Sequence, residues 1–417
     1  MIGVGGIGMS ALAQLYADHG AHVSGSDREE SPTTTLLQQK HIEVLIGQKA
    51  ENVPSDAELV VYTEAIPHDH SERVRAKELG LRTVSYFEAL GEVSAGKRTI
   101  AVSGTHGKTT TTGMLAKVLR DAGASPTAIV GSIVRDFESN YLAGASDWFV
   151  VEACEYKRDF LTLSPEILVI TNIEFDHSDY YRDLADVQDA FRSIIKQTTG
   201  AVVADATHEN IAPLLTGLSI PVIDYTQEPA YDIPLLGEFN QMNARAAVSA
   251  AKTAVPTLST TEIQESLGTF KGSWRRFEYK GKTAQGADVY DDYAHHPTAV
   301  RKTLGEVRRK TQGKIYVAFH PHLFSRTRDL FEDFVHAFKD ADRVYIAPIY
   351  AAREVDDGSV SSEMLAERIT KTGVNASSGT MEEIQHTLAE VPREGDIVIT
   401  MGAGDIYKVA DALVART

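Results

Sequence analysis

The chain has 417 residues, which is long for a single hydrophobic core, so we expect two or three domains. Its 43% hydrophobic and 24% charged residues are typical of a globular protein without membrane insertion, and a net charge of −17 argues against a general nucleic-acid-binding surface. The single cysteine, Cys154, excludes an intramolecular disulfide, and because no secretory leader is visible we expect a cytoplasmic protein.

The first 98 residues alternate short apolar strands with amphipathic helices, which predicts a doubly wound α/β unit. This segment opens on the glycine pattern of residues 3–8, followed by a predicted helix over 9–19 and a strand over 21–25 that ends near Asp27. The spacing favours a nucleotide or diphosphate site, although close packing of a helix on a strand also requires glycines. Only Met1 and Ile2 precede the first glycine, so we expect a truncated first strand.

A phosphate-binding loop is predicted between a strand over 98–102 and a helix that includes residues 113–119. Its glycines let backbone amides approach phosphate oxygens, while Lys108 would reach the β- and γ-phosphates and Thr109 a Mg²⁺ ion. Val102 stands where the general pattern has glycine, which indicates a subfamily. A plain glycine- and threonine-rich turn is the less favoured alternative. The loop residues are Gly104, Thr105, His106, Gly107, Lys108, Thr109 and Thr110.

Two more buried strands are predicted in the second segment, over 149–152 and 167–172. Their polar ends carry Glu152 and the segment from Glu174 to His177. Because active groups of open α/β sheets collect at such strand ends, these side chains could hold divalent cations beside the γ-phosphate. For each residue alone, a surface or hydrogen-bonding role is the alternative.

Polar motifs also mark the chain after residue 236. Asn240 and Asn243 share one face of a predicted helix and could address a base or ribose, although Asn240 could also be only an N-cap. In the third segment, strands are predicted over 315–319, 344–349 and 397–401, the last followed by a glycine-rich turn. Residues 291–297 offer two acids and two histidines, and residues 320–328 offer guanidinium groups for carboxylates or phosphates. A solvated basic turn is the alternative for either segment.

In their order along almost the whole chain, these motifs resemble those of the Mur ligases. The resemblance implies an α/β fold with three domains: a Rossmann-like UDP-sugar domain over 1–98, a central P-loop ATPase domain with a mostly parallel sheet over 99–273, and a Rossmann-like amino-acid domain over 274–417. It also implies ATP-dependent addition of L-alanine to the lactyl carboxylate of UDP-N-acetylmuramate through an acyl phosphate. The implied partners are these small molecules, and the expected assembly is a monomer or a homodimer.

The resemblance also implies roles for individual residues. The implied catalytic set is Lys108, Glu152, His177, His296 and Arg326. Two Mg²⁺ sites are expected, with Thr109, Glu152 and His177 as ligands. The implied contacts of the UDP-sugar are Gly5, Gly6, Ile7, Gly8, Met9, Ser10 and Asp27. Asn240 and Asn243 would contact the adenosine, and Arg276 with Asp292 would link the nucleotide to the closing domain, whereas Arg328 and His295 are less clearly assigned.

Three departures and two alternatives complete the comparison with this family. Cys154 stands where many members have an aspartate, and we expect it to be packed in the interior. Residues 189–192 lack the modified lysine of several sister ligases, as expected for alanine addition, and Leu323 replaces a basic residue of some relatives. The nearest alternative is the related ligase that attaches a tripeptide to the same sugar nucleotide. The other alternative is a nicotinamide-dependent dehydrogenase, but this function would give Lys108 no role.

Overall fold

The computed structural model describes residues 1–352 and 354–414, and these residues form two compact units. The first unit contains residues 1–174, 184–234 and 240–273, and the second contains 175–183, 235–239 and the described chain from 274 onward. Both units combine helices with mostly parallel sheets, so the predicted α/β class is confirmed. The predicted domain boundaries stay predictions. Among the described residues, no helix is long and apolar enough to cross a membrane.

The first part of the first unit is built from short parallel strands and helices. Ile2, which is 2% exposed, forms isolated parallel bridges with both Ser26 and Tyr62. The truncated first strand is therefore reduced to a single bridging residue, and it lies between the pairs β1–β2 and β3–β4. The elements are α1 (Ile7–Asp18), β1 (Ser24–Asp27), α2 (Pro32–Gln39), β2 (Glu43–Ile46), β3 (Val60–Tyr62), α3 (Ser71–Glu78), β4 (Thr83–Ser85) and α4 (Tyr86–Ser94).

Local capping signals explain where several of these helices begin. Ser31 caps α2 through a reciprocal capping box with Thr34, and Pro32 supplies the fixed φ angle that suits the first helical position. Ser85 and Glu88 form the same kind of box at the start of α4. These caps satisfy backbone amides that would otherwise lack partners.

The rest of the first unit surrounds a seven-stranded sheet of the order β11-β10-β9-β5-β8-β6-β7. Only its edge strand β7 runs antiparallel, to β6, and β5, β8 and β9 are almost entirely buried. The elements are β5 (Arg98–Ser103), α5 (Lys108–Asp121), β6 (Thr127–Val134), β7 (Ser139–Leu142), β8 (Trp148–Glu152), β9 (Ile167–Ile170), α6 (Leu184–Gln197), β10 (Ala201–Ala204), α7 (Ala212–Leu215), β11 (Val222–Asp224), α8 (Glu238–Ala254) and α9 (Thr260–Gly268). Because β8, β5 and β9 are adjacent and parallel, the loops that follow them meet at one edge.

The second unit contains a six-stranded sheet of the order β12-β13-β17-β14-β15-β16, with only β12 antiparallel to its neighbour. Strands 315–319 and 397–401 lie where they were predicted, whereas the third predicted strand is shorter. The elements are β12 (Glu278–Lys282), β13 (Asp288–Asp292), α10 (Pro297–Lys310), β14 (Ile315–Phe319), α11 (Phe324–Asp329), α12 (Phe331–Ala337), β15 (Arg343–Ile346), α13 (Ser362–Thr370), β16 (Asn375–Ser378), α14 (Met381–Glu390), β17 (Ile397–Met401) and α15 (Tyr407–Val414).

Candidate functional site

The phosphate loop has a backbone conformation that requires its two glycines. Gly107 precedes α5 with φ +82°, and Gly104 has φ +131°. A Cβ atom would lie 2.2 Å from Asn243 Oδ1 at Gly107 and 2.2 Å from Thr171 Oγ1 at Gly104. Any other residue would therefore be strained and would also clash. The loop brings backbone amides to the positive end of the dipole of α5, which is a suitable site for an anion.

The segment after β9 braces this loop. Thr171 Oγ1 and Asn172 Nδ2 both donate to the carbonyl of His106, at 2.6 and 2.9 Å. Asn172 Oδ1 accepts from the His106 amide at 2.9 Å, and Thr105 Oγ1 accepts from the amide of Glu174 at 2.8 Å. The sequence analysis missed this bracing role of Thr171 and Asn172. Their place in the motif directly after a buried strand was the signal.

Lys108 is half-buried and paired with an acid that the sequence analysis did not assign. Its Nζ atom donates to the Gly104 carbonyl at 2.5 Å and to both carboxylate oxygens of Glu155, at 2.9 and 3.1 Å. Burial alone would lower the pKa of Lys108. The charge and hydrogen bonds of Glu155, together with the charges of Cys154 and Glu152, outweigh burial, and the pKa is raised. The lysine is therefore a fixed positive charge at the mouth of the loop.

Glu152 lies against the start of α5, as the shared sheet edge predicts. Its Oε1 accepts from Thr109 Oγ1 at 2.9 Å, and its Oε2 accepts from the backbone amide of Gly131 at 2.7 Å. The hydroxyl and carboxylate oxygens are of the donor type that Mg²⁺ prefers. The pair thus fits a magnesium ion chemically, and its role as a ligand set stays a prediction.

The two asparagines of α8 are buried and in contact. Asn243 Nδ2 donates to Asn240 Oδ1 at 3.2 Å, and Asn243 also lies against Gly107. Because α8 begins at Glu238, Asn240 lies within its first turn, so the N-cap alternative is wrong. The asparagines are thus placed beside the phosphate loop, and their contact with adenosine stays a prediction.

The glycine loop at residues 3–8 is tied to the end of β1. The amide of Gly5 donates to Asp27 Oδ2 at 2.8 Å, and Thr33 Oγ1 donates to the Gly5 carbonyl. Gly6 precedes the first turn of α1, whose initial residue is Ile7. Asp27 therefore fixes the loop from within, and its role in binding a sugar nucleotide stays a prediction.

Packing explains part of the glycine pattern. Close packing of a helix on a strand was the alternative to a nucleotide site in the sequence analysis. A Cβ atom at Gly8 would lie 2.6 Å from the ring of Tyr86. Met9 is 2% exposed within an apolar cluster, and Ser10 is fully buried. The Ser10 amide also donates to the Gly6 carbonyl at 2.8 Å. Met9 and Ser10 therefore pack in the interior, and their contact with a sugar nucleotide stays a prediction.

In the second unit, Arg326 forms a buried ion pair. Its Nε donates to Asp176 Oδ1 at 3.0 Å, and its Nη1 lies 3.2 Å from Nδ1 of His322. Burial would raise the pKa of Asp176, but the charge of Arg326 holds it well below its usual range, helped by nearby histidines that include His177. The sequence analysis grouped Asp176 with possible metal ligands, whereas the structure pairs it with this guanidinium.

The adjacent histidines are each oriented by the local backbone. His295 Nδ1 lies 2.9 Å from the Tyr293 carbonyl, and burial followed by the charge of Arg326 holds the pKa of His295 well below its usual value. His296 caps α10, because its Nδ1 accepts from the amide of Thr298 at 3.3 Å. His295 is therefore a neutral imidazole near neutral pH.

Arg275 is a structural residue to which the sequence analysis gave no role. Its Nε donates to Asp291 Oδ2 at 2.7 Å, and its two Nη atoms donate to the carbonyls of Gly402 and Gly404 at 2.6 and 2.9 Å. It is 3% exposed. It therefore fixes the glycine-rich turn after β17.

Arg276 and Asp292 directly follow Arg275 and Asp291 in the sequence. The Arg276 guanidinium lies 5.1 Å from the ring centroid of Tyr293. Asp292 accepts from the amide of Ala294 at 3.0 Å and from Thr303 Oγ1 at 3.1 Å. Burial raises the pKa of Asp292 to about 6, although the charge of Arg276 opposes the shift. Their predicted link to the nucleotide stays a prediction.

The implied catalytic residues are divided between the units. Lys108 and Glu152 belong to the first, and His177, His296 and Arg326 to the second. The structure brings Lys108, Thr109 and Glu152 together around the start of α5. It brings Arg326 to Asp176, whose carboxylate also feels the charges of His177 and His296. Joint action of Glu152 with His177 stays a prediction.

Cys154 is expected to be an unreactive thiol. Burial, followed by the charge of Glu155, raises the pKa of Cys154 to about 12, so the thiolate is scarce at pH 8. We expect alkylation by iodoacetamide to be at least about 100-fold slower than for an ordinary free thiol. Because the chain has one cysteine, intact mass reports this site alone. Urea should restore the ordinary rate, and rapid alkylation of the folded protein would contradict the prediction.

Comparison with known protein families gives matches along most of the chain. Residues 1–98 match the model described as "Mur ligase family, catalytic domain". Residues 102–231 match the "Mur ligase middle domain", and residues 275–404 match the "Mur ligase, glutamate ligase domain".

Whole-length relatives give the same picture. The chain is 38% identical to the UDP-N-acetylmuramate–L-alanine ligase of Clostridium botulinum (strain Kyoto / Type A2), over 99% of this chain and 96% of that protein. The crystal structure of the UDP-N-acetylmuramate-alanine ligase MurC from Thermotoga maritima superposes with a TM-score of 0.83 at 28% identity, covering 100% of this chain and 97% of that one. A murein peptide ligase from Psychrobacter arcticus shares the fold, with a TM-score of 0.75 at 23% identity over 99% and 97% of the two chains.

Proposed function

Because the chain belongs to the Mur ligase family, we propose that it joins L-alanine to the lactyl carboxylate of UDP-N-acetylmuramate, with ATP, in peptidoglycan precursor synthesis. The observation that carries the proposal is the arrangement at the start of α5. There the loop amides, the charged Lys108 and the Thr109–Glu152 pair converge on one point. A site of this composition suits a triphosphate and its metal ion.

The proposed chemistry overcomes the low reactivity of a carboxylate towards amines. A lactyl carboxylate oxygen attacks the γ-phosphorus of ATP, the bond to the β-γ bridging oxygen breaks, and ADP leaves. The amine of alanine then attacks the acyl carbon, inorganic phosphate departs and the nitrogen loses a proton. Lys108 and the loop amides stabilise the charge on the transferring phosphoryl group, which is the main catalytic contribution of such sites.

Thr109 and Glu152 would hold Mg²⁺ in this proposal. The fit rests on their oxygen donors, which meet at 2.9 Å beside the phosphate loop. Bound there, the ion would neutralise charge on the phosphates. A second ion, held by Glu152 and His177, is part of the proposal by family resemblance.

The amino-acid half of the reaction is assigned to the second unit. Arg326 is a buried, permanently charged group whose orientation is held by Asp176 at 3.0 Å. A guanidinium of this kind suits a substrate carboxylate. In this proposal His296 would lie near the incoming alanine, and the neutral His295 adjoins it in sequence. A cytoplasmic location and a monomeric or homodimeric state remain predictions.

Phosphate release with different acceptors tests the proposed function. We expect release only when UDP-N-acetylmuramate and an amino acid are both present, with L-alanine preferred over glycine and L-serine. The preference over glycine should be roughly tenfold or more, because one methyl group is worth about 1–3 kcal/mol in a pocket. Preference for the tripeptide would favour the tripeptide-adding alternative. Release that ignores the sugar nucleotide would overturn the proposal.

A further inference from the structure

A buried polar cluster joins the glycine loop to the β6–β7 hairpin within the first unit. The Asn140 cluster consists of Ser10 and Gln14 on α1 and Ser139 and Asn140 on β7. None of the four residues is more than 2% exposed. Burying so many polar groups is costly unless all of them form hydrogen bonds. The hydrogen bonds therefore favour one arrangement of α1 and β7.

Asn140 is the centre of the cluster. Its Nδ2 donates to the carbonyl of Ile7 at 2.5 Å and to Ser10 Oγ at 2.9 Å. Its Oδ1 accepts from Gln14 Nε2 at 3.0 Å. Because one end must donate and the other must accept, the site requires an amide rather than a carboxylate.

The neighbours of Asn140 complete the network. Gln14 Nε2 also donates to the Ser10 carbonyl at 3.1 Å, and Ser139 Oγ donates to Gln14 Oε1 at 2.8 Å. The first turn of α1 is thereby held by side chains from a strand more than a hundred residues away in sequence.

The same hairpin reaches the phosphate site. Strand β6 follows α5, the helix of the phosphate loop, and carries Gly131, whose amide holds Glu152 at 2.7 Å. Strand β7 pairs with β6 and carries Asn140. One hairpin therefore contacts the glycine loop through Asn140 and the proposed metal-binding carboxylate through Gly131.

We propose that Asn140 is a positioning residue for the ligase reaction, which sets the glycine loop relative to Glu152 and the phosphate loop. The inference rests on the proposed function, in which the glycine loop holds the sugar nucleotide and Glu152 serves ATP. Attack of the carboxylate on the γ-phosphate requires the two substrates to meet in a narrow range of geometry. A displacement of about 1 Å can cost on the order of 100-fold in rate.

Two variants of Asn140 test this role. Asn140→Asp places a carboxylate against the Ile7 carbonyl and removes the donor, and Asn140→Ala removes both functions. We expect kcat to fall roughly 30- to 100-fold in each. Calorimetric affinity for a non-hydrolysable ATP analogue should change by less than about threefold, because the phosphate loop makes its own contacts. A purely structural role would lower the melting temperature without this selective loss of kcat.

A matched control is Gln264→Ala. Gln264 also donates to and accepts from a backbone partner, Asp232, at 2.8 and 3.1 Å, but it lies on α9. The kcat of the Gln264→Ala variant should stay at the wild-type value. Ser139→Ala keeps Asn140 and removes the hydrogen bond to Gln14 Oε1, so a smaller loss of kcat is expected. This variant decides the matter if the Asn140 variants do not fold.

The outcomes separate the two proposals. If the wild-type protein releases no phosphate with UDP-N-acetylmuramate and L-alanine, the proposed function is wrong. If the wild type is active and the folded Asn140 variants keep kcat within about threefold, the positioning role is wrong. The positioning role is also wrong if the Asn140 variants lose no more kcat than Gln264→Ala does. If the Asn140 variants do not fold, a wild-type kcat in Ser139→Ala would overturn the positioning role.

Discussion

Replacing Lys108 by alanine is expected to lower ATP-dependent phosphate release by at least about 10³-fold. The ammonium group is the charge that the loop offers to the β- and γ-phosphates, and no other described lysine bonds to the loop carbonyl of Gly104. Binding of UDP-N-acetylmuramate, measured by calorimetry, should change by less than about threefold, because the glycine loop is a separate element. Loss of sugar binding instead would contradict the assignment of the two loops.

The ion pair between Lys108 and Glu155 makes a second variant necessary in the Lys108→Ala experiment. Lys108→Ala leaves Glu155 as a buried charge without its lysine, which can cost about 3–5 kcal/mol of stability. The double variant Lys108→Ala/Glu155→Gln should recover the melting temperature and remain inactive. Lys97→Ala, at an exposed lysine of the same unit, should behave as wild type. An active double variant would show that Lys108 serves only to neutralise Glu155.

Replacing Glu152 by glutamine is expected to reduce turnover by about 10²- to 10³-fold with little change in stability. Glutamine can still accept from the Gly131 amide and can donate to Thr109 Oγ1, so both contacts of 2.7 and 2.9 Å have counterparts. What is lost is the negative charge that binds a cation. The Mg²⁺ concentration for half-maximal activity should therefore rise about tenfold or more, measured by titration at saturating ATP.

Glu166→Gln is the matched control for that experiment. Glu166 lies in the same unit and accepts from Arg98 at 2.6 and 2.9 Å, but this pair is on the surface. Exposed ion pairs contribute roughly 0–1 kcal/mol, so activity and Mg²⁺ dependence should not change. Unaltered Mg²⁺ dependence in Glu152→Gln would remove Glu152 from the proposed metal site.

The parts of the fold that were predicted correctly are those encoded locally. Strands 315–319 and 397–401 are continuous apolar runs, and the phosphate loop is recognisable because Gly104, Gly107 and Lys108 are spaced by the geometry of one turn. The meeting of Thr109 with Glu152 followed from a general rule about parallel sheets. Membership in the Mur ligase family, predicted from the order of the motifs, is confirmed by whole-length relatives.

The parts that were missed depend on contacts between distant segments. Glu155 follows Glu152 by three residues, but its bond to Lys108 depends on how β8 pairs with β5. Asn140 lies in a short strand whose sequence gives no sign of its bond to Ile7. Arg275 adjoins a predicted functional arginine, yet its partners are a strand and a turn far along the chain. Local patterns carry no information about such pairings.

The position of β17 has a consequence for the order of events during synthesis. β13 ends at Asp292 and β17 begins at Ile397, yet β17 lies between β13 and β14 in the sheet. The nascent second unit must therefore keep a gap at the centre of its sheet until residue 401 has left the ribosome. Until then the facing edges of β13 and β14 lack their native hydrogen-bonding partner, and unpaired strand edges of this kind are sites where chains can associate wrongly.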